Sequence, residues 1–163
     1  RFRQRFPELP ERTNNMQTSE LEIRSLFSCD ADQVRAMDDA SGFCLEQWLD
    51  DDEYGWGVLY QNKLIGYCSV GGADDVGKDI TDDPDYNSCD SLLLSDVYVD
   101  PEYRHQGIGT YMLSQVLDKV QSEYATVYCC PSHYALEDFY NGVGFVLTDT
   151  SDNVCITMKR LPK

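Results

Sequence analysis

Basic side chains are scarce in this sequence, which has 13 Lys and Arg residues against 29 Asp and Glu residues. The formal net charge is therefore −16. A surface this negative repels DNA and RNA, because proteins hold the phosphate backbone mainly through Lys and Arg. We expect no nucleic-acid partner, and a cationic small molecule or a basic peptide is the better candidate. Solubility alone explains the acidity equally well.

Metal-binding and membrane-spanning patterns are also missing. The chain has 2 His and 7 Cys residues, but no Cys-x-x-Cys pair, so a structural zinc site is not expected. Several cysteines lie in apolar segments, where a free thiol behaves as a small hydrophobic side chain. This usage favours a reducing, cytoplasmic location. No apolar run reaches the roughly 20 residues that span a membrane, and no signal segment opens the chain, so no membrane partner is expected.

The 163 residues suffice for one domain with a core of its own. The beginning of the chain differs from the rest. It carries four Arg residues before residue 16, and Pro7 and Pro10 disfavour a helix there. We assign residues 1–19 to an N-terminal extension, or to a basic arm that docks on the acidic body, and residues 20–163 to the domain.

The most informative stretch runs from Leu92 to Val120. Residues 92–99 form an apolar run that predicts a largely buried strand, and Asp100-Pro101 ends it. Two glycines, Gly107 and Gly109, separate this strand from a predicted helix. The apolar residues of that helix recur at helical spacing: Ile108, Met112, Leu113, Val116, Leu117 and Val120.

A turn of this kind between strand and helix is a candidate phosphate site. The first N–H groups of a helix have no intrahelical partner, the helix dipole is positive there, and glycine admits a close approach. It is not a dinucleotide-binding turn, because Met112 occupies the position of the third small residue. It is not a Walker loop either, because Gly-Lys-Ser/Thr is absent. Taken alone, the motif favours a turn without a ligand.

Two motifs together change that interpretation. Arg104–Gly109 reads Arg-His-Gln-Gly-Ile-Gly and matches the Arg/Gln-x-x-Gly-x-Gly/Ala signature of the GNAT superfamily of N-acetyltransferases. The preceding Val97–Tyr103 resembles the strand and loop of that family. Phe139–Phe145 resembles its C-terminal Phe-Tyr-x-x-x-Gly-Phe segment. The resemblance covers residues 64–145 well, and the order of the motifs is the expected one.

The resemblance implies an α/β fold. It would be a single-domain GNAT-like fold with a mixed, mostly antiparallel sheet, splayed at the central strands, and helices on both faces. The hydrophobic patterns predict elements in the same order. Strands are predicted at 20–27, 54–60, 63–70, 92–99, 125–130, 144–148 and 154–158, with a turn at Gln61-Asn62, and helices at 31–40, 43–49, 108–120 and 134–140.

The resemblance also implies the co-substrate acetyl-CoA, bound where two parallel strands splay apart. Val97 and Val99 would offer backbone groups to the pantetheine arm, while their side chains remain part of the core. The backbone N–H groups of the motif would hold the pyrophosphate: Arg104, His105, Gln106, Gly107, Ile108, Gly109 and Thr110. No metal is implied.

Two residues are the candidates for the chemistry. Tyr140 matches the family tyrosine that can protonate the departing sulfur, and a core aromatic is its alternative role. Asp96 is the preferred general base, because a charge within a buried strand is costly without a partner or a function. Strand alternation places Asp96 on one face with Leu94 and Tyr98. A capping or ion-paired aspartate is the alternative.

The chain departs from the family pattern at His133, with Ser132 beside it: many members carry an asparagine seven residues before the tyrosine, which contacts the pantetheine. Either residue could replace that contact, and His133 could serve as a second base. A loop histidine in solvent is at least as well supported.

The function implied is transfer of an acetyl group to a primary amine of a small, cationic acceptor, by direct attack in a ternary complex. A peptide or protein amine as acceptor, and a non-catalytic acetyl-CoA-binding regulator, are the alternatives. We expect at least one of two acidic stretches, residues 50–53 and 74–90, to line or rim the acceptor site and attract a cation. A homodimer is also allowed for.

Overall fold

The structure is a computed structural model that describes residues 16–41, 55–72, 83–84, 86–87, 89–148 and 156–162. Several predictions fall outside these residues. They include the extension up to residue 15, the helix predicted at 43–49, the acidic run 50–53 and most of the 71–90 loop.

The described residues form one mixed sheet of seven strands in the order β1-β2-β3-β4-β5-β7-β6. The β4–β5 pair is parallel and the other pairs are antiparallel. None of the described helices is long and apolar enough to cross a membrane. The elements are β1 (Leu21–Ser25), α1 (Ala31–Ser41), β2 (Gly55–Tyr60), β3 (Lys63–Gly72), β4 (Ser91–Val99), α2 (Ile108–Val120), β5 (Thr126–Cys129), α3 (Glu137–Asn141), β6 (Val146–Leu147) and β7 (Met158–Arg160).

The hairpin between β2 and β3 turns at the predicted position. Gln61 and Asn62 have φ values of 50° and 64°, so both lie in the left-handed region. Two consecutive residues of this kind give the backbone twist that suits a two-residue hairpin, and asparagine tolerates the conformation well. The polar pair therefore sets the register of the two strands that follow and precede it.

Helices cover both faces of the sheet, as predicted. Neighbouring strand residues point to opposite faces, and the core divides accordingly: Val58 and Ile65 join one cluster, Leu59 and Leu64 the other. The larger cluster holds the buried side of α2 together with Tyr140, which lies on α3. The smaller cluster holds the buried residues of α1. Buried side chains of the central strands therefore pack against helices on both faces of the sheet.

The last strand was predicted too early in the sequence, at residues 154–158, whereas β7 begins at Met158. Residues 156–158 are buried, but pairing with β5 and β6 begins only at Met158. Lys159 and Arg160 continue the strand, and their charges gave no strand signal. Lys159 pairs with Asp83 at 3.0 Å and Arg160 with Asp118 at 3.2 Å. The sequence pattern therefore predicted which residues are buried. The strand pairing itself is continued by Lys159 and Arg160, whose charged ends form ion pairs.

The helix predicted at 134–140 is divided in two. A 3-10 helix occupies Tyr134–Leu136, and α3 follows at Glu137–Asn141. The prediction located the segment correctly, but hydrogen-bonding type is not encoded in apolar spacing. The α-helical part carries Tyr140.

Candidate active site

The sheet opens between its two parallel strands. Pairing of β4 with β5 ends at Leu94 and Cys129, whereas β4 continues to Val99. Within the described part of the chain, the remainder of β4 therefore has no strand partner on its β5 side. The opening lies at the same end of β4 as the glycine motif.

Backbone groups of Val97 and Val99 point into this opening. The Asp100 N–H donates to the Ile65 carbonyl at 2.9 Å, and hydrogen-bonded pairs alternate along an antiparallel ladder. The next bonded pair toward the strand interior is Tyr98 with Tyr67, so the backbone groups of Val97 and Val99 face away from β3. This is the orientation that contact with an extended ligand arm requires.

The glycine motif ends in the N-terminus of α2. Gly107 precedes the helix with φ 77° and ψ 2°, and the first helical bond runs from the Tyr111 N–H to the Gly107 carbonyl at 2.9 Å. The N–H groups of Ile108, Gly109 and Thr110 consequently have no partner in an earlier helical turn. With the positive end of the dipole, they form a place for an anion. The motif therefore fits a pyrophosphate.

The side chain of Arg104 turns back onto β4. Its Nε donates to the Val99 carbonyl at 2.7 Å, and its guanidinium lies 5.3 Å from the centre of the Tyr98 ring. Arg104 therefore occupies the Val99 carbonyl. The Val99 N–H is the backbone group that still faces the opening. Arg104 also fixes the loop against the strand, because the bond joins residues five apart.

The two sequence motifs touch in the folded chain. A Cβ added at Gly109 would lie 3.1 Å and 3.3 Å from atoms of the Phe139 ring. A larger residue there would have to displace the Phe139 ring by a few tenths of an ångström, so glycine suits the close packing of α3 against the start of α2. Phe139 was not among the predicted site residues, although its place at the start of the second motif was the available signal.

Tyr140 is enclosed at this junction. It is 7% exposed, with Phe139 and Phe145 rings packed edge-on at 5.0 Å and 5.7 Å. Burial, and to a lesser degree the neighbouring Cys129 and Cys68 thiols, raise the pKa of the Tyr140 phenol. The phenol therefore keeps its proton at neutral pH and can donate it.

The neighbouring thiols are also protonated. Burial, and secondarily the negative charge of Asp96, raises the pKa of Cys68 to about 12. Burial likewise raises the pKa of Cys129. A thiol must ionise to act as a nucleophile, so neither cysteine is prepared for attack.

Asp96 lies at an irregularity of the sheet. The β3–β4 register shifts between Cys68 and Val70, opposite Asp96. The Ser69 hydroxyl bonds to Asp96 twice, as donor to its Oδ2 at 3.2 Å and as acceptor from its N–H at 3.3 Å. Asp96 is half-buried, close enough to Cys68 for its charge to act on the thiol.

The predicted face of Asp96 needs correction. Leu94 belongs to the cluster beneath α2, whereas Tyr98 belongs to the cluster beneath α1. The shifted register breaks the alternation between them, because an extra residue turns the strand over. Alternation resumes at Val97, which packs against the α2 cluster, so Asp96 shares a face with Tyr98 and not with Leu94.

Ser132 and His133 are exposed. His133 Nδ1 accepts the Ala135 N–H at 3.0 Å and so caps the 3-10 helix that follows. The cap occupies one ring nitrogen and leaves Nε2 for other contacts. The histidine thus has a local structural role beside any role toward a ligand.

Most of the predicted acidic rim falls outside the described residues. The run 50–53 and most of 74–90 belong to that part, so the predicted acceptor rim stays a prediction. Asp83 is described and does not fit a rim. It is 4% exposed and forms the ion pair with Lys159 of β7, so its charge is already paired within the protein.

With this geometry established, the match to known sequences is decisive. Residues 17–145 match the model of the acetyltransferase (GNAT) family. The chain belongs to this family. No curated protein sequence matches it significantly.

Solved GNAT structures share the fold. Diaminobutyrate acetyltransferase EctA from Paenibacillus lautus, in complex with L-2,4-diaminobutyric acid and coenzyme A, has a TM-score of 0.64 and 15% identity, covering 88% of this chain and 95% of that one. Arabidopsis thaliana Naa50, in complex with the bisubstrate analogue CoA-Ac-MVNAL, has a TM-score of 0.61 and 16% identity, covering 86% and 98%.

A third similar structure is larger. N-acetylglutamate synthase from Neisseria gonorrhoeae, complexed with coenzyme A and N-acetyl-glutamate, has a TM-score of 0.62 and 13% identity. The match covers 88% of this chain but only 35% of the synthase. At these identities the likeness concerns the fold.

The predicted family, α/β fold and enzyme class, an N-acetyltransferase, are confirmed. The predicted co-substrate, acetyl-CoA, agrees with the coenzyme A or CoA-linked compound in each of the three structures.

Proposed function

We propose that this GNAT enzyme transfers the acetyl group of acetyl-CoA to a primary amine of a small, cationic acceptor. The observation that carries the proposal is the contact between the two motifs at the divergence of β4 from β5. The Phe139 ring packs on Gly109, and Tyr140 is buried beside it. This contact supports an anion site and a protonated phenol at one opening of the sheet.

Residues of three segments would hold the co-substrate. The backbone N–H groups of His105–Thr110 would bind the pyrophosphate, whereas that of Arg104 donates to the Pro101 carbonyl at 3.5 Å. The backbone of Val97 and Val99, which points into the opening, would bind the pantetheine arm. Ser132 and His133 would add polar contacts from the far side. A bound acetyl-CoA supplies the acetyl group as a thioester.

Asp96 and Tyr140 would move the protons. Amines are mostly protonated at neutral pH, and Asp96 would accept the ammonium proton directly or through water. Tyr140 would donate its proton to the departing sulfur. Direct attack in a ternary complex needs no side-chain nucleophile, which agrees with the protonated state of Cys68 and Cys129.

The charge of the chain supports a cationic acceptor. The net charge is −16, and EctA, one of the similar structures, was solved with a diamino acid. The second candidate is a peptide amine, which the peptide analogue bound to Naa50 favours. A non-catalytic acetyl-CoA-binding regulator is the third.

Location and assembly are further parts of the proposal. Among the described cysteines, Cys29, Cys68, Cys89 and Cys129 are free thiols. Free thiols suit the cytoplasm, where we place the protein. A homodimer is retained as a prediction, to be measured by light scattering.

An acetylation screen tests the proposal. Purified protein is given acetyl-CoA and a panel of polyamines, aminoglycosides, diamino acids and short peptides, and released CoA thiol is measured. We expect turnover with a small cationic amine. Turnover confined to peptides would replace the proposed acceptor class with the second candidate. Acetyl-CoA binding without any turnover would favour the regulator.

A further inference from the structure

Ser69 forms two hydrogen bonds with Asp96. The serine is 6% exposed, and its hydroxyl both donates to the Asp96 carboxylate and accepts the Asp96 N–H. A hydroxyl can do both at once, because it has one donor and two acceptor positions. Both bonds reach the same residue, so one hydroxyl holds the backbone and the side chain of Asp96 together.

The pair lies where the register shift reverses the side-chain alternation of β4. The β3–β4 register shifts at Ser69, and beyond the shift Asp96 lies on the α1 face. A register shift leaves backbone groups off the regular ladder, and here the Ser69 hydroxyl accepts one of them. The same hydroxyl then donates to the carboxylate that the shift has re-aimed. Ser69 thus binds both the irregular backbone at Asp96 and the Asp96 carboxylate, and so couples the orientation of one to the other.

We propose that Ser69 is a positioning residue for the reaction, which it serves by orienting the Asp96 carboxylate toward the acceptor amine. This inference rests on the proposed function, in which Asp96 is the base. A carboxylate on a single strand residue can rotate about two bonds, whereas a proton transfer requires hydrogen-bond distance and alignment. The Ser69 bond to Oδ2 restricts that rotation and leaves Oδ1 to face the substrate.

The test measures steady-state kinetics with a confirmed amine acceptor. Ser69→Ala should lower kcat by roughly 10- to 100-fold, since small misplacements of a catalytic group cost that much. The KM for acetyl-CoA should change less than about twofold, because Ser69 is not in its binding segments. Ser69→Thr keeps the hydroxyl and should restore most of the rate. Ser69→Cys keeps the volume but donates weakly, so its rate should fall like that of the alanine variant.

Ser91→Ala is the matched control. Ser91 is a buried serine of β4, the strand that carries Asp96; it is 5% exposed, and its hydroxyl accepts the Asn87 N–H at 3.4 Å. This variant should keep the wild-type kcat. Thermal unfolding of each variant shows whether the fold is kept. Loss of stability without loss of kcat in folded Ser69→Cys would reduce Ser69 to a structural residue and overturn the inference.

A double variant separates this inference from the proposed function. If Ser69 acts through Asp96, adding Ser69→Ala to Asp96→Asn should lower kcat no further. Additive losses would overturn the positioning role. An unchanged kcat in Asp96→Asn would overturn the base assignment and with it the inference. Absence of turnover by the wild type on every amine would refute the proposed function itself.

Discussion

At the scale of single residues, the protonation of Tyr140 determines what it can do. Burial raises its pKa, so ionisation of this phenol should not limit the rate below about pH 10, the ordinary tyrosine value. We expect Tyr140→Phe to lower kcat by about 10²–10⁴-fold, the usual loss for a general acid. The KM for acetyl-CoA should change little, because the ring and its packing remain. Stopped-flow or thiol-release kinetics measure both.

Tyr124→Phe is the control for this substitution. Tyr124 is 71% exposed, beyond the end of α2, and its variant should behave as wild type. A change in kcat of less than a few-fold in Tyr140→Phe would mean that the tyrosine only packs against Phe139 and Phe145.

At the scale of elements, the N-terminus of α2 depends on the backbone conformation of Gly107. A Cβ there would meet nothing within 4 Å, but φ is +77°, which costs about 1–2 kcal/mol for most residues. Gly107→Val should therefore weaken acetyl-CoA binding by redirecting the N–H groups that follow. Gly107→Asn should retain more affinity, because asparagine tolerates this region. Calorimetry with acetyl-CoA measures both.

Equal affinity in the valine and asparagine variants, with both folded, would argue against pyrophosphate binding at this turn. Gly109 is the less informative position. A side chain there would collide with the Phe139 ring, so lost binding could reflect displaced packing of α3.

The junction of β1 and α1 is held by a bidentate ion pair. Arg24 donates to both Asp30 oxygens at 2.8 Å and 2.7 Å, and the Phe27 N–H donates to Oδ2 at 2.9 Å. These bonds outweigh burial and lower the pKa of Asp30. Asp30→Asn should reduce the free energy of unfolding by about 1.5–3 kcal/mol at neutral pH, because it removes the charge-assisted bonds to Arg24 and leaves that half-buried cation only the longer 3.9 Å contact with Glu22.

The pH dependence follows from the direction of that pKa shift. A lowered folded-state pKa means that the stabilisation is complete above the unfolded value of about 4 and is lost as pH falls through the folded value. Denaturant unfolding should therefore show the difference between wild type and Asp30→Asn shrinking below about pH 4. Asp32→Asn, in an exposed pair with Arg35, should show almost no effect at any pH. A difference that stays constant with pH would contradict the ion-pair explanation.

At the scale of the whole molecule, the net charge of −16 should attract a cationic acceptor and repel the anionic co-substrate. Salt screens such attraction, with a screening length of about 10 Å at 0.1 M. The acceptor KM should therefore rise with ionic strength, while the acetyl-CoA KM should not rise in parallel. Initial rates over a range of salt concentrations measure both.

Neutralising Asp50, Asp51 and Asp52 to Asn should raise the acceptor KM and flatten its salt dependence if this run is the rim. A second set on the long loop should omit Asp83, because Asp83 is buried in its ion pair with Lys159. Exposed Glu22 and Asp32, neutralised together, are the control. If neither acidic set differs from the control, the acidity serves solubility and the cationic acceptor loses its main support.

The sequence by itself determined the local parts of this molecule. The hairpin at Gln61-Asn62, the strand at 92–99 and helix α2 were predicted at or near their observed bounds. Each depends on residues that are close in the chain: a turn pair, an apolar run, a helical repeat. The two motifs were specific enough to predict the family and, through it, the fold.

Only the tertiary structure decided on which face of the sheet Asp96 and its neighbours lie. Alternation assigned Asp96 to the face of Leu94, but a register shift against β3 places it with Tyr98 and gives it Ser69 as a partner. The contact of Phe139 with Gly109 likewise joins residues thirty positions apart in sequence. Register and long-range packing depend on how separate segments fit against each other, and a one-residue shift reverses every side chain beyond it. No periodicity within a single segment carries that information.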